Sequence, residues 1–266
     1  MSQRHACHVL GQSRSSQRRE RFATPRHGDV LVPLRQLAER HPAWGYRKLH
    51  AALRIDGYEV NRKWTYARYR DMGYYVQRRK RRRGLLRDRQ SLLVPANPNQ
   101  CWSLDFMHDT LTNGRTTRWL NVIDDCAREA LHQEIDFCLP ALRVIRVLDA
   151  LIKVRGKPNC IRSDNGPEFI SHEMHTWARR EQIAWRFIEP GSPAQNAYIE
   201  RFNGTCRREL IDANTFTTLH EARSAQQIWI KIYNEERPHE ALGNLPPKRF
   251  LEQEQIKKAL LKTGTG

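Results

Sequence analysis

From Gln100 onward the hydropathy pattern changes its period, and that change limits the fold more than any other feature of the chain. Before it, apolar residues recur at helical spacing; after it, short alternating runs are interleaved with helical ones. The pattern predicts strands at 101–109, 117–125 and 128–135, a helix from Pro140 to Arg155, a strand at 159–164, a helix at 171–182 and a strand at 184–189. Long helices at 194–212 and 219–235 follow. Three successive strands with short connections make an antiparallel meander, and the later strand-helix-strand portion adds parallel strands to the same sheet.

That order predicts an α/β domain over 100–253, a mixed five-stranded sheet with flanking helices in the ribonuclease-H-like arrangement, followed by a tail at 254–266. In front of it, residues 30–76 read as an all-α module in three pieces: LVPLRQLAER, YRKLHAALRIDG and NRKWTYARYRDMG. Asp56-Gly57 ends the second piece, Asn61 can cap the third, and Gly73 can take the left-handed closing position. Two short helices meeting across a tight turn, with Arg47, Lys48, Arg62, Lys63, Arg68 and Arg70 spread over them, read as a helix-turn-helix-like DNA-binding module. A solvated three-helix bundle is the other reading of the same pattern. Residues 1–28 read as a partial N-terminal helical segment, with a short helix at Gln3–Leu10. Residues 77–99 read as an extended basic linker that opens with the run Arg78–Arg83 and ends in PANPNQ.

Charge separates the two halves. Residues 1–90 hold 23 Lys/Arg against 7 Asp/Glu, a net of +16, whereas residues 91–266 hold 23 against 22. A polycation of this kind points to a polyanionic partner, and nucleic acid fits better than a membrane because no apolar run approaches the roughly 18–20 residues that span a bilayer. The six cysteines are scattered without a CxxC pair, and the N-terminus has no long apolar stretch. Both features predict a reduced, cytoplasmic protein without a zinc site.

Three carboxylates carry the candidate chemistry. Asp105 lies in the strand-like WSLDFMHD, Asp164 closes CIRSD before an Asn-Gly turn, and Glu200 follows after thirty-five intervening residues in NAYIERFNGTCRREL. Mg²⁺ takes oxygen ligands, only one or two carboxylates per ion, and completes its shell with waters and phosphate oxygens. Three carboxylates can therefore hold two ions roughly 3.5–4 Å apart, one activating the attacking oxygen and the other stabilising the leaving one. On the helix, Ile199, Phe202, Cys206 and Leu210 make an apolar face, while Asn196, Glu200, Asn203 and Arg207 share another. Arg207 is thus placed to grip a DNA phosphate. Asp124 and Asp125 are equally acidic but read as turn and local hydrogen-bonding residues.

WSLDF, RSDNGPEF, PGSPAQNAYIERFNG and YNEERPHEALGNLPPKRF, in that order, resemble the integrase-type catalytic core of DDE transposases. More narrowly they resemble the second-frame product (OrfB) of the bacterial "three" family of insertion sequences, over roughly residues 30–253, including GYRKLHAALRIDGYEVNRKW. The resemblance implies that Asp105, Asp164 and Glu200 are a catalytic triad holding two Mg²⁺ ions with substrate bound, with Mn²⁺ able to substitute. It also implies that Arg207 matches a basic residue seven positions after the glutamate, and that Asn165, Gly166, Gln195 and Asn196 neighbour the active site or DNA. The implied reaction is hydrolytic nicking at an element end followed by attack of the freed 3′-hydroxyl on another phosphodiester. Cys126-Ala127, Arg201 and Pro246 depart from the family's usual residues, and none of them touches the triad.

The implied partners are double-stranded DNA at element ends and target, the first-frame product of the same element, fused or separate, and further copies of the chain when two ends are paired. The implied location is the bacterial cytoplasm at the nucleoid. Two other functions fit the same sequence: a catalytically inactive protein that binds element ends and modulates transposition, and a ribonuclease-H-like nuclease. A helix-turn-helix and a six-residue basic run suit duplex DNA better than an RNA–DNA hybrid.

Overall fold

In the computed structural model the chain is described at residues 28–76, 95–189 and 193–263, with a few isolated positions before residue 12. It divides into two compact units, Met1–Val76 and Gln77–Gly266. The basic run at 78–83 and most of the helix expected at 3–10 lie outside the described residues.

In the first unit, α1 (Gly28–Arg40), α2 (Tyr46–Ile55) and α3 (Arg62–Asp71) pack around Leu34, Ala38, Trp44, Leu49, Leu53, Val60 and Tyr69, all buried. The punctuation read from the sequence is observed. The Asn61 side chain accepts the Lys63 N–H at 2.8 Å and starts α3, while Gly57 (φ +90°) and Gly73 (φ +78°) take the left-handed conformation that closes α2 and α3. His41 stacks on Trp44 with ring centroids 3.8 Å apart, which fixes the turn between α1 and α2.

The second unit is built on one five-stranded sheet in the order β3-β2-β1-β4-β5: β1 (Cys101–Thr110), β2 (Thr116–Asp124), β3 (Glu129–Asp136), β4 (Cys160–Ser163) and β5 (Ala184–Phe187). β1, β2 and β3 form the antiparallel meander, and β4 and β5 add in parallel beside β1. Crossover helices α4 (Ala141–Arg155) and α5 (His172–Arg180) cover one face, over a core of Trp102, Leu104, Leu120, Val122, Leu148 and Ile161. The other face carries α6 (Ala197–Cys206) and α7 (Leu219–Glu235), over Met107, Trp119, Ile123, Ile199, Phe202 and Trp229. Strand alternation therefore sends Trp102 and Leu104 to one helical layer and Met107 to the other.

Three expectations are corrected. The long helix at 194–212 is a 3₁₀ turn (Pro193–Asn196), then α6, then a π-helical turn (Arg207–Ile211) in which the Asp212 N–H reaches the Arg207 carbonyl at 2.6 Å. The tail at 254–266 is not separate from what precedes it. α8 runs unbroken over Pro247–Thr263, starting on a proline whose missing N–H costs a helix start nothing, and Lys258 Nζ reaches Asn97 Oδ1 at 2.5 Å. The linker expected at 77–99 ends earlier. The Asn99 N–H donates to Asp124 Oδ2 at 2.7 Å and its side chain to the Arg155 carbonyl at 2.7 Å, so these residues belong to the core unit. Among the described residues no helix is long and apolar enough to cross a membrane.

Candidate active site

Asp105 sits at the middle of the central strand β1, on the face that α6 covers. Its Oδ1 accepts the Phe106 N–H at 2.8 Å, and its Oδ2 accepts Asn203 Nδ2 of α6 at 2.6 Å. Both oxygens are thus held before any ligand arrives.

Asp164 follows β4, the parallel neighbour of β1, as the chain leaves the sheet. The Asn-Gly turn after it lets the Gly166 N–H reach Asp164 Oδ1 at 3.2 Å, and a β-carbon on Gly166 would stand 3.1 Å from that oxygen. The turn needs glycine here for lack of space. Behind it, Phe169 is fully buried and stacks on Phe106 with ring centroids 5.1 Å apart, and Trp185 Nε1 donates to Ser163 Oγ at 2.9 Å. The end of β4 is therefore pinned from two sides.

Glu200 stands exposed on α6, and what holds the helix lies on its opposite side. Ile199 and Phe202 are buried at 0% and 1% exposure. Each contributes roughly 1.5–3 kcal/mol by leaving water, so a one-residue rotation that exposed them and buried Glu200 is strongly disfavoured. Phe202 packs edge-on to Tyr233 at 5.0 Å and against Trp229 at 5.5 Å, both from α7. Arg237, just after α7, binds Glu209 of the π-helical turn through Nε to Oε2 at 2.9 Å and Nη2 to Oε1 at 2.9 Å. The motif YNEERPHE is thus the support of the Glu200 helix. Sequence reasoning quoted that motif but assigned Tyr233 and Arg237 no role. It also placed Asn203 on the Glu200 face without seeing its bond to Asp105, for which the three-residue spacing was the available signal.

Burial pushes the Asp105 carboxyl up to about 7, with repulsion from Asp164 and then Glu200 adding to it, against the hydrogen bonds from Phe106 N–H and Asn203. Partial desolvation against the helix surface also raises the Glu200 carboxyl, although the residue stands exposed. The three acids therefore share one electrostatic neighbourhood. Among the described residues, no three His, Cys, Asp or Glu side chains close into a tight ligand cage. The donor set itself fits a hard divalent cation: the groups are all carboxylate oxygens, and their mutual repulsion is what such an ion would relieve.

The remaining candidates have local partners. Arg207 Nη2 donates to the His108 carbonyl at 2.6 Å, and its Nη1 lies 3.7 Å from Asp109, which ties the end of α6 to β1. Asn165 Nδ2 donates to the Ile188 carbonyl at 3.1 Å, Gln195 Oε1 accepts the Glu189 N–H at 2.9 Å, and Asn196 is buried. Asn165 and Gln195 brace the loops around the site, whereas Asn196 Oδ1 is buried without a hydrogen-bond partner among the described residues. In the first unit Arg62 and Lys63 are exposed at the start of α3, Arg47 is exposed and Lys48 half-buried on α2, and Arg68 pairs with Asp71 at 3.1 Å. Asp124 accepts the Cys126 N–H at 2.8 Å, and the fully buried Asp125 pairs with Arg162 at 3.0 Å and accepts Ser103 Oγ at 2.6 Å. Asp124 makes the local turn bond its sequence context indicated, whereas the partners of Asp125 come from β1 and β4. Arg118 was not anticipated. It pairs with Glu168 of the DNGPEF turn and lies 4.3 Å over the Phe106 ring, bracing the Asp164 loop against β1.

The chain is similar to known proteins along most of its length. An HTH-like domain matches residues 29–82, and integrase core domains match residues 95–193 and 181–247. The uncharacterized 31.7 kDa protein of insertion element IS407 from Burkholderia multivorans is 40% identical over 252 residues, 94% of this chain and 90% of that one. The uncharacterized 39.2 kDa protein of insertion element IS476 from Xanthomonas euvesicatoria is 39% identical over 250 residues, 94% of this chain and 72% of that one. The transposase InsD of insertion element IS2 from Escherichia coli is 27% identical over 239 residues, 85% of this chain and 79% of that one. The catalytic core of HTLV-2 integrase, solved in complex with magnesium, superposes with a TM-score of 0.48 at 18% identity, over 60% of this chain and 99% of that one. With an HTH-like module ahead of an integrase core, and with insertion-element relatives matched along nearly its whole length, the chain belongs to the integrase-core transposases of bacterial insertion elements, as a second-frame product of the "three" family.

Proposed function

We propose that the chain cuts and joins DNA strands at the ends of its insertion element, with Asp105, Asp164 and Glu200 as the catalytic carboxylates. The observation that carries this reading is the half-buried Asp105, bonded to Asn203 and raised to about 7 beside Asp164 and Glu200. Such a cluster is costly to keep in a fold unless a cation offsets it in function.

The three carboxylates would hold divalent Mg²⁺, for which Mn²⁺ can substitute. When bound, two such ions supply activation of the attacking oxygen and charge stabilisation at the leaving oxygen. The chain's own residues do the rest. Asn203 and the Phe106 N–H keep Asp105 oriented, the Gly166 N–H orients Asp164, and the packing of α6 on Tyr233 and Trp229 keeps Glu200 at the open side, where a phosphodiester can approach. Arg62, Lys63, Arg47, Lys48 and Arg68 supply phosphate contacts from the first unit, and Arg207, Asn165 and Gln195 line the DNA path near the carboxylates, with the buried Asn196 behind them. Double-stranded DNA is the substrate. The first-frame product and further copies of the chain are its partners at the bacterial nucleoid.

The test is strand cleavage and transfer on oligonucleotides bearing the element ends, with Mg²⁺, comparing wild type with Asp105→Asn, Asp164→Asn and Glu200→Gln. All three variants are expected to lose both steps while keeping DNA binding. Undiminished metal-dependent cleavage in all three removes the triad assignment.

A further inference from the structure

Asp105, Asn121 and Gln133 occupy one cross-strand row of the sheet: Asp105 is the Cα partner of Asn121 on β2, and Asn121 that of Gln133 on β3. All three lie on the face covered by α6. Asn121 is fully buried and Gln133 is 3% exposed, between apolar neighbours such as Trp119, Ile123 and Ile135. Two buried primary amides in an apolar layer need an explanation, because apolar side chains of similar size would pack there without polar atoms to satisfy.

Their hydrogen bonds form a single file that ends on Asp105. Gln133 Nε2 donates to Asn121 Oδ1 at 2.6 Å, Asn121 Nδ2 donates to Asn203 Oδ1 at 2.6 Å, and Asn203 Nδ2 donates to Asp105 Oδ2 at 2.6 Å. Gln133 Nε2 also donates to Cys206 Sγ at 3.3 Å, one helical turn beyond Asn203. Every amide has the same polarity, nitrogen toward Asp105 and oxygen away from it. The carboxylate sets that polarity. An ionised carboxylate only accepts, so Asn203 must turn its NH₂ toward it, which leaves a carbonyl that only an NH₂ of Asn121 can meet, and so on to Gln133. The file ends at Gln133 Oε1, which is buried without a hydrogen-bond partner among the described residues. That orphaned carbonyl is what holding one direction along the whole file leaves behind.

We propose that Asn121 and Gln133 are positioning residues of the active site. Neither touches Asp105. They act through Asn203: Asn121 Nδ2 anchors the Asn203 oxygen, which keeps its Nδ2 on Asp105 Oδ2 while the lone pairs left on both carboxylate oxygens stay available to a cation. Without them the Asn203 oxygen loses its anchor, so the side chain is free to swing away from Asp105 and release it from the geometry that suits a shared ion. The inference rests on the carboxylates holding divalent metal, as proposed above, and it adds the part of the sheet that prepares the first of them.

The experiment measures Mn²⁺ affinity of the full chain by titration calorimetry, with thermal melting alongside. The proteins are wild type, Asn121→Leu, Gln133→Met, Asn203→Ala and the double variant Asn203→Ala/Asn121→Leu. Leucine and methionine keep the volume of an apolar layer, so Asn121→Leu and Gln133→Met are expected to melt near wild type. Each is expected to bind Mn²⁺ roughly 10-fold more weakly, the lower end of what outer-layer changes do at metal sites. Because Asn121 acts through Asn203, adding Asn121→Leu to Asn203→Ala is expected to weaken binding no further, whereas an unrelated packing defect would add in full. Wild-type affinity in folded Asn121→Leu and Gln133→Met, or full additivity in the double variant, overturns the proposal. If Asn121→Leu does not fold, Gln133→Met decides alone. Absence of Mn²⁺ binding in the wild type instead overturns the metal-site reading.

Discussion

Arg237 and Glu209 form a buried, doubly hydrogen-bonded ion pair behind the helix that presents Glu200, with side chains only 8% and 5% exposed. The pair joins the end of α7 to the π-helical turn after α6, so a part of the chain far in sequence from Asp105 sets where Glu200 stands. Removing the guanidinium leaves a carboxylate desolvated without its counter-charge. Arg237→Leu is therefore expected to destabilise the chain by about 3–5 kcal/mol, and Arg237→Leu with Glu209→Leu to recover most of that loss. Urea unfolding of the two variants checks both statements; a neutral single variant would contradict them.

Gly166 tests geometry without stability. A methyl group there would meet Asp164 Oδ1 at 3.1 Å, while its other neighbours, Phe169 at 3.5 Å and Glu168 at 3.8 Å, stand at ordinary contact distance. Gly166→Ala is expected to move the Asp164 carboxylate and lower cleavage by roughly 10–100-fold, since small displacements of a positioned group carry large rate penalties. The melting temperature should change little. Equal loss of activity and of stability would point to folding instead.

Glu134 gives a pH dependence of defined sign. His132 Nε2 at 3.0 Å and Arg143 Nη2 at 2.6 Å hold its carboxyl down to about 2, from an ordinary 4.5. The folded value is depressed, so the stabilisation is fully present above about pH 4.5 and is lost as pH falls through 2. Because Arg143 is well exposed, screening reduces the effect to about 1 kcal/mol. Glu134→Gln should show a shallower loss of stability between pH 5 and pH 2 than wild type, measured by urea unfolding across that range.

Salt dependence tests the first unit. Arg62 and Lys63 are exposed at the start of α3, whereas Arg68 is paired with Asp71. Arg62→Ala and Lys63→Ala are each expected to reduce the slope of log affinity against log salt by about 1 on element-end duplex, and Arg68→Ala by less. Fluorescence anisotropy between low and moderate salt reads the slopes directly.

Much of this architecture is local in origin, and for that reason it can be read from the chain. The switch from helical to alternating periodicity after Gln100 determines the sheet. Asn61, Gly57 and Gly73 determine where α2 and α3 start and stop, because caps and left-handed glycines act within a turn of themselves. Asp105, Asp164 and Glu200 are visible as acids in strand, strand-end and helix contexts. Where the sequence reading went wrong, distant contacts decided. The helix expected at 194–212 breaks into three forms around Arg207, and Asn99 leaves the linker to cap Asp124. Only the tertiary fold could bring Asn203 to Asp105, line up Gln133 and Asn121 behind it, and set Arg237 against Glu209. Each of those pairs joins residues far apart in the chain, across a strand register or a helix-on-sheet contact, and no periodicity along the chain encodes such a meeting.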